Sequence, residues 1–172
     1  TDDLKECEHL YKTGLKRWPR SGALYSEYGE LMGTKEAYLA IKQWEKGIQV
    51  DPNYPGNYYN AANNYFNYGD KLWTLLYGEV FINLESYSKR TAEIKQLLLE
   101  GYKKLFINVD DLTKNQDNSK SSFEMAWLNV LAPLHTLVQD GITPASLTVL
   151  RTRFIINWFN TYPGNYPYPF FF

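Results

Sequence analysis

A nine-residue pattern occurs twice in this chain, and it constrains the fold more than any other feature. The first copy, YKTGLKRWP, ends at Pro19, and the second, WEKGIQVDP, ends at Pro52. The aromatic, glycine, aliphatic and final proline positions coincide, and the two positions between the aromatic residue and the glycine are polar in both copies. The interval of about 33 residues is typical of helical repeats, in which each hairpin buries its apolar face against its neighbour.

The segment from Asp51 to Glu85 has the pattern of one complete helical hairpin. Its first helix has an apolar face at helical spacing, formed by Tyr58, Ala61, Ala62 and Tyr65. Gly69-Asp70 interrupts this pattern, because glycine tolerates the left-handed exit from a helix and aspartate can cap the next one. A second, mostly apolar pattern begins at Leu72. The whole segment has about 34 residues, which is the length of one repeat.

Residues 20–52 form a preceding repeat with the same layout. Its break falls at Gly33-Thr34, and we expect Thr34 to be the N-cap of the second helix. Residues 2–18 match the second helix of a still earlier repeat, with Cys7 on the apolar side as a core thiol. Because the first helix of that repeat is missing, the chain is expected to be a trimmed fragment of a longer protein.

The pattern loosens after residue 86. Residues 87–109 are predicted to be a degenerate third repeat containing one amphipathic helix. Its expected core residues are Ile94, Leu97, Leu98, Tyr102 and Leu105. Residues 110–122 are polar and rich in Asn, Ser and Lys, which predicts a loop.

Two further helices and an aromatic tail complete a C-terminal extension, residues 110–172, which we expect to pack as one domain with the repeats. A helix containing Phe123, Trp127 and Leu128 is predicted to kink at Pro133. Thr143-Pro144, an N-cap followed by proline at the first helical position, predicts the start of the other helix. The expected core residues of this last helix are Leu147, Leu150, Phe154, Ile155 and Trp158. The tail YPGNYPYPFFF contains three prolines and is predicted to be non-helical.

The hairpins resemble the tetratricopeptide repeat. In residues 53–86, Tyr58 stands where that family has its first large aromatic residue, and Ala61-Ala62 stand for its Leu-Gly pair. In residues 20–52, Tyr25 and Tyr28-Gly29 take the same places.

Two positions depart from the family pattern: Gly78 replaces a large aromatic residue, and Phe81 replaces an alanine. The two exchanges lie about one turn apart, so they could compensate each other in volume. The resemblance implies an all-α fold in which antiparallel helical hairpins stack as a short right-handed superhelix, followed by the helical C-terminal extension.

Composition and motifs argue against several classes of function. The 18 basic and 19 acidic residues leave a net charge of −1, so no basic surface invites nucleic acid. No apolar run approaches the roughly 18 residues that span a bilayer, which predicts no membrane insertion. His9 and His135 are isolated, and no phosphate-binding loop or nucleophile motif is present. We therefore expect no metal, no cofactor and no enzymatic activity, in a cytoplasmic or bacterial periplasmic protein.

The first helix of the second hairpin is rich in asparagine. The five residues are Asn57, Asn60, Asn63, Asn64 and Asn67. Each costs up to roughly 0.7 kcal/mol of helix preference relative to alanine. Asn60, Asn63 and Asn67 form a stripe opposite the apolar face. Either this stripe lines a binding surface, or its amides bond to neighbouring helices and to water.

In tetratricopeptide arrays the first helices line the concave groove, so the resemblance implies a set of groove residues. They are Tyr25, Glu27, Glu30, Tyr59, Asn60, Asn63, Phe66 and Asn67. The implied function is a non-enzymatic scaffold that binds a peptide or protein segment of unknown identity. The two glutamates favour a basic or neutral ligand, and Lys89 and Arg90 are the candidate cations of the third repeat. The alternatives are an aromatic and Asn-lined groove that binds a small molecule or glycan, and a purely structural or self-assembling module, including a homo-oligomer.

Overall fold

The computed structural model describes residues 2–107, 122–164 and 166, and within these residues it contains eight α-helices, one 3₁₀ helix and no strand. The fold class predicted from the sequence, an all-α chain of packed helices, is confirmed. The chain divides into two compact units, the first over residues 1–98 and the second beginning at Leu99. The boundary lies inside one helix, so each unit is described separately.

The first unit contains five complete helices and the beginning of a sixth. They are α1 (Asp2–Arg17), α2 (Gly22–Gly33), α3 (Ala37–Val50), α4 (Pro55–Asn67), α5 (Lys71–Leu84) and α6 (Lys89–Ile107). Two antiparallel hairpins form, one from α2 and α3 and the other from α4 and α5. The hairpins stack because α4 packs against both α2 and α3, and α1 packs on α2. This is the arrangement that the repeated sequence pattern predicts.

Of the two caps predicted in this unit, Asp70 is correct and Thr34 is wrong, and Ser21 caps a further helix start. Ser21 Oγ accepts a hydrogen bond from the Leu24 amide (3.3 Å), and Asp70 Oδ1 accepts one from the Trp73 amide (3.1 Å) after a left-handed Gly69 (φ 82°). Thr34 is not the N-cap of α3. Its backbone stays helical, its hydroxyl donates back to Leu31 O (2.7 Å), and it is the C-cap of α2.

The hairpin of α2 and α3 depends on a close approach between Gly29 and Trp44. The Trp44 indole lies against the glycine, and its Nε1 donates a buried hydrogen bond to Ser26 O (3.0 Å). A β-carbon at Gly29 would lie 2.1 Å from that Nε1. A residue without a side chain is therefore required where the large aromatic residue of α3 crosses α2.

The glycines of the two nine-residue copies, Gly14 and Gly47, make equivalent contacts in the structure. The α-carbon of Gly14 faces Leu24 and that of Gly47 faces Asn57, so each glycine admits a side chain ten residues further on. Asn57 Nδ2 also donates to Gly22 O (3.0 Å), and the Gly22 amide donates to Asp51 Oδ2 (3.3 Å). The junction between the two hairpins is therefore held by polar bonds in a buried site.

The two departures from the repeat pattern do not simply exchange volume. The space above Gly78 is filled by Leu98 and Ile94 of α6, since a β-carbon there would lie 2.8 Å from Leu98 Cδ2. Phe81 is fully buried and lies beside the Tyr59 ring, with centroids 5.5 Å apart. All five predicted core residues of α6 are buried.

Cys7 is exposed, so its assignment as a core thiol is wrong. The packed face of α1 runs through Leu4, Glu8, Tyr11 and Leu15, and Tyr11 stacks on Tyr28 of α2 (5.7 Å between centroids). Cys7 lies beside this face rather than on it, about 100° away from Glu8 around the helix.

The second unit contains the end of α6, α7 (Ser122–Leu131), a 3₁₀ helix (Ala132–Val138) and α8 (Pro144–Thr161). The predicted kink at Pro133 is a change from α to 3₁₀ geometry at Ala132. Thr143 caps α8 as predicted: its Oγ1 accepts from the Ser146 amide (3.1 Å), while Ser146 Oγ accepts from the Thr143 amide (2.8 Å). The predicted loop at residues 110–122 lies outside the described residues, apart from Ser122, which begins α7.

Ile155 is wrongly predicted as a core residue of α8, because its side chain is 53% exposed. Leu147 and Leu150 are buried, and Phe154 and Trp158 are half-buried on the same stripe. Their rings stack at 5.8 Å. Ile155 follows Phe154 by about 100° around the helix and so leaves the stripe. The predicted non-helical tail is described only at residues 162–164 and 166, which are non-helical.

The Gly29 contact can be tested by urea unfolding followed by circular dichroism. Gly29→Ala should lower the free energy of unfolding by about 1–3 kcal/mol, because the new methyl group overlaps the Trp44 indole. Gly33→Ala is the matched control in the same helix. There a β-carbon meets only Ala40 at an ordinary 3.5 Å, so stability should stay level or rise by up to about 1 kcal/mol. Equal stability of the two variants would contradict the close approach.

Candidate functional site

The eight predicted groove residues lie on α2 and α4, and we call the surface that they and the start of α6 form the first-helix face. Glu27, Glu30 and Asn67 are exposed on it. The other members are half-buried: Tyr25, Tyr59, Asn60, Asn63 and Phe66. In the part of the chain that the structure describes, no hydrogen bond or ion pair joins Tyr25 or Asn67 to the other members.

Asn60 connects the two hairpins across this face. Its Nδ2 donates to Glu30 Oε1 (3.1 Å) and to Ser26 Oγ (3.3 Å) on α2. A carboxylate can only accept a hydrogen bond, so the amide orientation is determined: Nδ2 faces α2 and Oδ1 does not. The pattern of charged and polar residues did not reveal Ser26, which is buried under the amide.

Tyr59 connects α4 to α6. Its hydroxyl donates to Glu93 Oε2 (2.6 Å), and the Arg90 guanidinium lies 5.2 Å from the centre of its ring. The hydrogen bond to Glu93 and partial burial raise the pKa of Tyr59. Glu93 occupies the place in α6 that Tyr59 occupies in α4, one repeat length earlier. Extending the repeat offset into α6 would have identified it.

Arg90, one of the two candidate cations, forms an ion pair with Glu85. Its Nε donates to Glu85 Oε1 (3.0 Å) and its Nη2 to Glu85 Oε2, so the pair is bidentate. The guanidinium also lies 5.7 Å from the Phe81 ring centre. Hydrogen bonding to Arg90 lowers the pKa of Glu85. Lys89 is exposed.

The asparagines of α4 have different structural roles. Asn57 is fully buried in the hairpin junction, and its Oδ1 has no hydrogen-bond partner among the described residues. Asn60 bonds across helices. Asn63 Nδ2 donates to Tyr59 O (2.9 Å) in its own helix. Asn67 is exposed at the end of α4. Among the described residues, Asn57 and Asn60 therefore bond to a neighbouring helix, and Asn63 bonds within its own helix.

A second polar cluster, which the sequence did not reveal, links α3, α4 and α5. The hydroxyls of Tyr65 and Tyr77 donate to the same oxygen of Glu45, Oε1, at 2.9 and 3.0 Å. The Tyr65, Trp73 and Tyr77 rings stack at centroid distances of 5.6–6.2 Å. Because this carboxylate joins three helices, the cluster stabilises the hairpin stack.

The side chains that could act in catalysis or bind a metal lie far apart in the described residues. His9 is exposed on α1, and His135 Nδ1 lies 3.0 Å from Ala132 O. No three His, Cys, Asp or Glu side chains in residues 2–107 and 122–164 are grouped so as to hold a metal ion. None of the described helices is both long enough and apolar enough to cross a membrane.

Comparisons of the chain with protein-family models, with curated proteins and with solved structures each returned no match.

The Glu85–Arg90 pair predicts a pH dependence of stability. The pKa of Glu85 is lower in the folded state than the usual 4.5, so its contribution is complete above about pH 4.5 and disappears as the pH falls through the folded value. Glu85→Gln should therefore lower the free energy of unfolding at pH 7 by about 1 kcal/mol, since the pair is reachable by solvent.

The difference between Glu85→Gln and the wild-type chain should shrink as the pH falls from about 5 to 3, measured by urea unfolding at each pH. Glu6→Gln on the exposed surface of α1 is the control, with a difference near zero throughout. A constant difference at all pH values would show that Glu85 acts through packing and not through its charge.

Proposed function

We propose that this chain is a non-enzymatic protein-interaction scaffold, with tetratricopeptide-like hairpins, that binds an extended segment of a partner protein along the first-helix face. The stacked hairpins of the first unit support this proposal, because consecutive first helices form a continuous surface for a long ligand. Tetratricopeptide arrays use the same surface, and this part of the proposal is an analogy.

One observation carries the proposal: Asn63 and Asn67 are unfavourable in α4 and make no bond to another helix in the described part of the chain. Asn57 and Asn60 offset their poor helix preference with bonds across the hairpin junction. Asn63 bonds only to its own helix, and Asn67 is exposed. Fold stability therefore does not account for these two residues. Side-chain amides that both donate and accept suit the backbone of an extended peptide.

The half-buried aromatic residues of the face support the same function. Tyr59 is held by Glu93, Arg90 and Phe81, so its ring is rigid before a ligand arrives. A rigid aromatic ring gives contact area at a small cost in conformational entropy. Phe66 follows Tyr59 on α4 by about two helical turns, which places it on the same side.

A structural role is the second candidate, and the bonds of Asn60 favour it. If the face serves only to join the hairpins, its residues should affect stability and nothing else. A small molecule or glycan on the same aromatic and amide surface is the remaining alternative, and it would show as binding without affinity for peptides.

The proposal is tested by selecting a random 12-mer peptide library, displayed on phage, against the protein. Selected peptides should lose at least tenfold in affinity when Asn63 and Asn67 are both changed to alanine. Asn53→Ala, in the exposed loop before α4, is the control and should bind as the wild type does. Stability of the double variant should be unchanged or higher by about 0.5–1 kcal/mol, since alanine is the better helix former.

Two results would overturn the proposal. Peptides that bind wild type and the double variant equally would place the binding surface elsewhere. A clear loss of stability in the double variant would assign the stripe to the fold. Light scattering measures the molar mass of the purified protein in solution. An oligomer that dissociates in the double variant would support the self-assembling alternative.

A further inference from the structure

Several hydrogen-bond donors of the first-helix face are already used where α2, α4 and α6 meet. Three of its side chains use donors within the protein: the Asn60 amide nitrogen donates to Glu30 and Ser26, the Tyr59 hydroxyl to Glu93, and one Asn63 N–H to Tyr59 O. Within the described residues, no donor is bonded to the acceptor atoms of these three side chains. The side-chain donors of Tyr25, Asn67 and Lys89 have no acceptor among the described residues. Around Asn60, Glu27 and Glu30, the atoms left for a ligand are therefore oxygen acceptors.

The oxygen atoms without a donor belong to two amides and three carboxylates. In the described part of the chain, no group donates to Asn60 Oδ1, to Asn63 Oδ1 or to the Glu27 carboxylate. Glu30 and Glu93 each use one oxygen for a neighbouring side chain and retain the other. Since a carboxylate and an amide oxygen only accept hydrogen bonds, the complement of this surface is a group rich in donors.

The charges on the face also favour a ligand that carries hydrogen-bond donors. Glu27 and Glu30 lie three residues apart on α2 and are therefore neighbours on its surface. Glu30 accepts a hydrogen bond from Asn60, so its carboxylate lies where α2 meets α4. Arg90 is the cation that contacts Tyr59, and Glu85 already neutralises it. The carboxylates of α2 are thus not balanced by Arg90.

We propose that the first-helix face selects a partner segment carrying lysine or arginine, and that Glu30 and Asn60 together hold its cationic side chain. The Asn60–Glu30 hydrogen bond of 3.1 Å holds the amide group and the carboxylate next to each other. An ammonium or guanidinium group, with three or five N–H donors, bonds to both at once. This inference rests on the proposed function and names the class of partner that the face accepts.

The inference predicts the composition of the selected peptides and their affinity for a charge variant. Peptides that bind the face should be enriched in lysine and arginine over aspartate and glutamate. For a synthetic fluorescent peptide of that composition, Glu30→Gln should weaken binding by about tenfold or more, because a charge-assisted bond is lost. Glu6→Gln, the same loss of charge on α1, should change affinity by less than about twofold.

Two further measurements separate the site from a general charge effect. A peptide in which each lysine is replaced by glutamine should bind the wild type and Glu30→Gln with similar, weaker affinity. Raising the salt concentration from about 50 to about 200 mM should weaken the lysine peptide more than the glutamine peptide. Circular dichroism and urea unfolding of Glu30→Gln confirm that the hairpins remain folded.

The outcomes distinguish this inference from the proposed function. Peptides that map to Asn63 and Asn67 without cationic enrichment, or that ignore Glu30→Gln, would overturn the inference and leave the scaffold proposal standing. Equal losses in Glu30→Gln and Glu6→Gln would also overturn it, since net charge alone would then explain the binding. If no selected peptide maps to the face, both fail.

Discussion

The carboxamide of Asn57 joins the first hairpin to the second, and the first-helix face depends on it. Its nitrogen donates to Gly22 O, while Asp51 accepts from the amide of the same glycine. Gly47 has no side chain, so α4 approaches α3 closely enough for these bonds to form. Buried polar bonds of this kind fix one relative position of two helices, because any slip leaves a polar group without its partner. The distance at which Asn60 meets Glu30 follows from this junction.

The junction between the second hairpin and α6 has different residues at the equivalent positions, and they make different bonds. Glu85 stands one repeat length after Asp51, and Thr91 stands one repeat length after Asn57. Thr91 Oγ1 donates to Glu85 O, and the Glu85 carboxylate binds Arg90, so these bonds are local to the loop before α6. In the described residues, no side chain at this junction bonds to the backbone of Gly56, the counterpart of Gly22. Leu98 and Ile94 of α6 pack over Gly78, and the Tyr59 hydroxyl donates to Glu93.

The same contacts that stabilise the hairpins give the first-helix face its polarity. A cross-helix bond from an amide nitrogen or a hydroxyl uses a donor, and the acceptor atom of the same group receives no bond from the described residues. On α4 this happens twice in succession, at Tyr59 and Asn60, and the acceptors that receive these bonds are carboxylates on α6 and α2. The packing between helices and the proposed preference for a cationic ligand therefore have one physical origin.

Most of the helix positions could be predicted from the sequence, because the signals that set them are local. The Gly69-Asp70 break, the Thr143-Pro144 start and the buried face of Tyr58, Ala61 and Ala62 depend on backbone preference and on residues within a few turns. The prediction for Thr34 is wrong because a threonine hydroxyl near a helix boundary can accept from an amide of the next helix or donate to a carbonyl of the preceding one. The backbone conformation of the turn decides between the two.

The contacts of the candidate site could be predicted only in part. The stripe of Asn60, Asn63 and Asn67 follows from helical spacing alone. Which amide is buried, which bonds across helices and which stays exposed depends on a helix that is distant in the sequence. The tertiary structure alone decided that Asn57 is a junction residue and that Arg90 is neutralised by Glu85. Thus the sequence by itself determined the repeat, its helices and its apolar faces, whereas only the packing of one helix against the next decided which polar atoms remain open to a partner.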